Sequence, residues 1–316
     1  MRAGAVMKTE KWKWVVGFFA ALVLADLGVG MGLRALSAKV RTGAGMGQVR
    51  AAVEGEPIDL LVLGSSRARH HIDTDWLGDE LGIRALNLGA NGQGTYYAYM
   101  VLAMLVEAGQ VPDAVLLQVE PRDLRDPRLE RARVLTPGYD GFEVMRRELP
   151  KMGKWAGVKL WSATYRYNHR VFEVVRHALF PPAEVGTGFV GRVGAFRHVE
   201  AAPFDAEGAR IDGEGWAFYE AFVELATEQG IEVVIFEGPR LRAERDVWES
   251  RAAEALEGLA ADHPGVVWEA WDEARFEGLE ERSLWYDPGY LNAEGARRFT
   301  ALISDTPAFR SLGAGR

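Results

Sequence analysis

The sequence predicts an α/β fold: a three-layer α/β/α arrangement with helices on both faces of a parallel sheet, a helical insertion and an amino-terminal transmembrane helix. Three observations carry this expectation. From residue 58 onward, short apolar runs alternate with helix-length stretches, the rhythm that builds parallel sheets through right-handed crossovers. That rhythm breaks between about residues 124 and 211. Residues 14–33 form an apolar run of about the twenty residues that a bilayer core requires.

Taken in order, Arg2, Lys8, Lys11 and Lys13 precede the apolar run and make residues 1–13 a basic tail, so 14–33 reads as a signal anchor with its amino end in the cytoplasm. The main domain then lies on the extracytoplasmic side of the cell membrane, held by a single pass. Asp26 interrupts the run; a carboxylate there either marks a contact with a membrane partner or is a tolerated acid in an apolar helix. The glycine-rich stretch from Thr42 to Gly47 makes residues 34–56 a linker, and 57–316 the α/β domain.

Within that domain, Ile58 to Leu63 is a run bounded by Pro57 and Gly64, the pattern of a strand buried on both faces. Further strands are expected at residues 84–89, 113–119, 231–236 and 265–268. Helices are expected at 96–107, 213–229, 241–261 and from Asn292, as cap, to about Ile303. The insertion is basic and aromatic. Its Trp155, Trp161, Tyr165, Tyr167 and Phe180 would either stack on sugar rings in a cleft or form the insertion's own core.

The 316 residues, 48% hydrophobic, suffice for a sizeable core. A net charge of −8 with scattered Lys and Arg gives no basic stripe for nucleic acid. There is no cysteine, which excludes disulfides, thiol catalysis and cysteine metal sites. No phosphate loop, dinucleotide fingerprint or metal-ligand spacing is present, so no cofactor and no metal are expected.

The chemistry-bearing residues cluster where strands end. Gly64-Ser65-Ser66 follows the first strand, Asn87 to Gly94 is a glycine-rich turn after the second, Glu120-Pro121 closes the third, and Trp285 to Phe299 holds Asp287, Tyr290, Asn292 and Gly295 before the last helix. These four blocks resemble those of the SGNH (GDSL-like) hydrolases, whose fold is flavodoxin-like. The serine-in-the-middle variant looks most like the membrane-anchored branch that transfers acyl groups to cell-envelope polymers, such as the D-alanine-transfer and alginate O-acetylation proteins.

By that resemblance Ser66 is the nucleophile, Gly89 and the Ser66 amide hold the oxyanion, Asn91 and Glu120 border the substrate, and Asp287 is the orienting acid. A glycine-rich turn needed only for packing is the competing reading of Gly89. Two blocks depart from the family. The third-block asparagine is replaced by the end of the strand, where Glu120 would repel an oxyanion but could hold Arg67 or Arg122 in place or accept a hydroxyl proton. In the last block Tyr290 stands where the family has histidine, and a phenol with an ordinary pKa near 10 is about a thousandth ionised at neutral pH. His70 and His71 are the alternative bases nearest Ser66 in the chain, with His169, His177 and His198 in the insertion.

Two functions follow. One is a serine acyl esterase or O-acyltransferase acting on envelope carbohydrate, with an envelope polysaccharide or an acylated small molecule as partner. The other is an inactive scaffold of the same fold, working beside a multi-span membrane acyltransferase.

Overall fold

The computed structural model describes residues 3–43, 45–124, 126–181, 186–198, 211, 213–241, 247–270 and 276–312. In chain order its helices and strands are α1 (Ala3–Ser37), α2 (Met46–Val53), β1 (Leu60–Leu63), α3 (Ser66–His71), α4 (Thr74–Leu81), β2 (Ala85–Asn87), α5 (Thr95–Glu107) and β3 (Ala114–Val119). The insertion contributes α6 (Glu143–Glu148), α7 (Ala156–Lys159) and α8 (Val171–Leu179). The chain then resumes with α9 (Glu214–Glu228), β4 (Glu232–Glu237), α10 (Val247–Ala261) and β5 (Val266–Glu269). It closes with β6 (Trp285–Asp287), β7 (Tyr290–Leu291), α11 (Ala293–Ser304) and α12 (Pro307–Arg310).

Strands β1 to β5 form one all-parallel sheet in the order β2-β1-β3-β4-β5. This is the doubly wound, flavodoxin-like order, in which the direction of winding reverses between β1 and β3 and opens a crevice at the carboxyl edge. Side chains alternate between the two faces. Leu61, Leu63, Val115, Leu117, Val233 and Ile235 pack under α2, α5, α9 and α10, whereas Leu60, Val62, Leu116, Val234 and Phe236 pack under α3, α4, α11 and α12. Both faces of β1 and β3 are thus dry, as their unbroken apolar runs require.

Three features differ from the sequence expectation. Residues 34–56 are not only a linker: α2 lies within them and buries Val49 and Ala52 in the main core. Glycines flanking a short Met-Gly-Gln-Val-Arg segment hid this helix. The segment before α11 is an antiparallel hairpin, β6 with β7, among residues for which no strand was expected. The helix expected from Leu241 is described from Val247, its residues 242–246 lying outside the described part.

Helix α1 is longer than the apolar run, and residues 11–37 are long and apolar enough to cross a membrane. Asp26 meets the chain's own insertion: its carboxylate accepts from Ser162 Oγ at 2.7 Å, Ala163 N–H at 2.8 Å and Thr164 N–H at 3.0 Å. These donors lie just before a short helical turn at residues 165–167, so an acid inside an apolar helix is satisfied by three hydrogen bonds from the insertion.

The exit from β1 depends on Gly64. Its φ of 136° lies in the region open mainly to glycine, and a Cβ there would stand 2.6 Å from the Gln118 carbonyl oxygen. Gly64→Ala should lower stability by on the order of 2 kcal/mol, measured by chemical denaturation of the purified protein.

Candidate active site

The carboxyl edge of the sheet gathers the ends of β1 and β3 with the β6–β7 hairpin. Ser65 is the N-cap of α3, its Oγ accepting from Arg67 N–H at 3.1 Å. The same hydroxyl lies 2.7 Å from both Gln118 Oε1 and Glu120 Oε1, so its one proton serves either acceptor. Ser65 N–H adds a third tie, donating to Gln118 Oε1 at 3.2 Å. Ser65 therefore stitches β1 to β3, and Glu120 is occupied in that stitch.

Ser66 opens α3 and meets the other end of the chain. Its Oγ lies 2.5 Å from Tyr290 Oη, a hydrogen bond spanning 224 positions of sequence. Tyr290 is presented by the hairpin, whose turn is fixed when Asp287 Oδ1 accepts from Gly289 N–H at 2.8 Å. Asp287 thus positions the phenol through backbone and does not orient an imidazole. Asn292, next along, caps α11 through Gly295 N–H at 2.9 Å, as the sequence predicts.

Three side chains wall in the phenol ring. The Arg192 guanidinium lies 4.0 Å above the ring centre, a cation–π contact worth roughly 0.5–2 kcal/mol. His70 and His71 meet the ring edge-on, with ring centres 5.9 and 5.8 Å away. Arg192 sits in the insertion in no motif, and no sequence signal pointed to it. The insertion reaches the site through residues 187–197, where Val190 N–H donates to Arg69 O and Arg197 N–H donates to Tyr286 O.

Neither nearby imidazole serves Ser66. Nε2 of His71 accepts from Leu291 N–H at 3.2 Å, and complete burial pushes the ring well below its ordinary pKa, keeping it neutral with the proton on Nδ1. His70 Nδ1 donates to the Val190 carbonyl at 2.6 Å, and burial likewise lowers its pKa. Its Nε2 lies 3.2 Å from Asn91 Oδ1, and that contact holds the Asn91 side chain on His70. His177 pairs with Thr42, and His198 is exposed. His169, lowered to about 4 by burial, belongs to the insertion. Among the described residues no cluster of His, Asp or Glu is suited to a metal ion.

Gly89 is placed differently from its expected role. Its N–H donates to Asn87 Oδ1 at 3.0 Å, and a Cβ on it would stand 2.7 Å from Ala68 Cβ and 2.8 Å from Arg69 N. The glycine is required by the close approach of α3, and its amide is turned to Asn87 and away from any oxyanion. Asn87 completes the brace by donating to the Ala68 and Ile72 carbonyls at 2.7 and 3.0 Å. The insertion's aromatics do not line a cleft beside Ser66: Tyr167 is buried in a small cluster with Leu33, Val40 and Val174, while Trp155, Trp161 and Phe180 are exposed.

The buried His71 sets a pH dependence. An unfolded histidine titrates near 6.5 and the folded one lower, so below about pH 6.5 the unfolded chain binds more protons and stability falls as pH drops towards the folded value. His71→Gln, which keeps an acceptor for Leu291 N–H, should lose less stability than the natural protein between about pH 7.5 and pH 5, measured by urea denaturation at each pH.

No family model and no curated protein matches this sequence. Among solved structures, the chain is similar to one from Streptococcus pneumonia named for platelet activating factor, with 10% identity, a TM-score of 0.41, and coverage of 93% of this chain and 98% of that chain. A likeness at that distance says nothing of the site's chemistry.

Proposed function

We propose that this protein is a membrane-anchored, SGNH-hydrolase-like serine acyl esterase or O-acyltransferase acting on cell-envelope carbohydrate, with Ser66 as nucleophile and Tyr290 as the group that takes its proton. The observation that supports it most is the 2.5 Å contact between Ser66 Oγ and Tyr290 Oη, which joins the first and last blocks at the crevice of a flavodoxin-like sheet. A neutral phenol can only share a proton with serine; an ionised one accepts it. The Arg192 cation over the ring is suited to the negative charge that the phenol carries in that state. Helix α1 provides the anchor, and the envelope side provides the substrate.

A second reading is favoured by the Gly89 amide, which is held by Asn87, and by an Asp287 carboxylate that reaches no base. In that reading the site is a catalytically inactive scaffold, and the protein serves as the binding partner of a multi-span membrane acyltransferase.

A fluorophosphonate probe, applied to the full-length protein in its membrane, separates the two. The catalytic reading expects labelling at Ser66, lost in Ser66→Ala and slowed on the order of a hundredfold in Tyr290→Phe, the usual size of a general-base contribution. Folded natural protein that stays unlabelled would leave the scaffold reading.

A further inference from the structure

The geometry points to the insertion's exposed aromatic face as a surface that rests in the headgroup region of the bilayer that α1 enters. This concerns how the domain is seated, goes beyond its chemistry, and rests on α1 being membrane-inserted. Four observations lead there.

First, the insertion is fixed to α1 as well as linked to it by sequence. Asp26 accepts hydrogen bonds from residues 162–164, and Gly30 lies so close to Ala163 that a Cβ on it would stand 2.2 Å from the alanine methyl. One and two turns further, Leu33 and Ser37 are buried on the same side of the helix. The two parts are therefore joined along this seam.

Second, the seam lies at the level of α1's apolar surface. Beyond Asp26 the helix still exposes Leu27, Val29 and Met31 on its other faces. Five residues of helix rise about 7.5 Å, so the tip at 162–164 lies beside the last turns of the apolar surface, near its outer edge.

Third, the insertion exposes large apolar side chains on both sides of that tip in sequence. Trp155, Val158, Trp161, Phe172, Leu179 and Phe180 are between 59% and 81% exposed, although the domain has a large core in which to bury them. Helix α8 presents Phe172 and Leu179 outward while Val174 packs inward towards Leu33 and Val40.

Fourth, exposed lysines border the patch. Lys154 lies 5.6 Å over the Trp155 ring and Lys159 lies 6.0 Å from the Tyr165 ring. Tryptophan bordered by lysine is the composition of a membrane–water interface, where rings sit among headgroups and ammonium groups reach lipid phosphates. A lipid surface suits this mixture better than a dry protein interface, whose centre is depleted of lysine.

The chain has no cysteine, which makes single-site labelling clean. The full-length protein is reconstituted into phosphatidylcholine–phosphatidylglycerol vesicles and carries an environment-sensitive NBD dye on Trp161→Cys, Phe180→Cys, Phe18→Cys in α1 or Glu254→Cys on α10. The inference expects blue-shifted emission at Trp161→Cys and Phe180→Cys, with several-fold more quenching by headgroup-nitroxide lipid than at Glu254→Cys. Quenching at Phe18→Cys alone would overturn it while leaving the anchor in place. An unquenched Phe18→Cys would remove the anchor itself. A blue shift at the two insertion sites in native membranes but not in pure lipid would assign the face to a protein partner and overturn it as well.

Discussion

The site rests on one constraint: two segments more than two hundred residues apart must end at the same point on the sheet's carboxyl edge. Gly64 lets β1 turn under the Gln118 backbone, Ser65 locks the turn to β3, and Ser66 is left facing the hairpin that precedes α11. The winding order supplies the rest, since β1 and β3 flank the point where successive crossovers diverge to opposite faces. The pairing of hydroxyl and phenol follows from this convergence. Much of the surrounding polar network exists to hold it: Asp287 sets the hairpin turn, His71 receives the Leu291 amide, and Asn87 braces α3.

The same network decides what the site can do. Each imidazole within reach of the tyrosine ring is neutral, buried and bonded to backbone, so each serves as a wall. The Gly89 amide and the Asn91 side chain are likewise taken by neighbours. Beside these walls stands the serine–phenol pair, with the Arg192 guanidinium over the ring.

Much of this was legible in the sequence, for identifiable reasons. Doubly buried strands betray themselves as unbroken apolar runs, so β1 and β3 were plain, and a glycine–serine turn at the end of such a strand locates the edge. Asp287 and Tyr290 could be placed beside Ser66 only through the resemblance of their block to the last block of the SGNH hydrolases. Helix α2 could not be seen, because eight residues between glycines give too short a period for pattern to register. Nor could Arg192, which is brought to the ring by the path of residues 187–197, a tertiary matter with no local signature. The role of Gly89 was ambiguous for a deeper reason: close packing and oxyanion binding demand the same absence of a side chain, and only the direction of its N–H separates them.

The central claim is that Ser66 and Tyr290 are bonded to each other in the folded protein. A double-mutant cycle of unfolding free energies for Ser66→Ala, Tyr290→Phe and the pair tests it most directly. A bond of this kind predicts a coupling of about 1 kcal/mol, the net value of an intramolecular hydrogen bond. Additivity within about 0.3 kcal/mol would show that the two groups do not meet, and would contradict the account at its root.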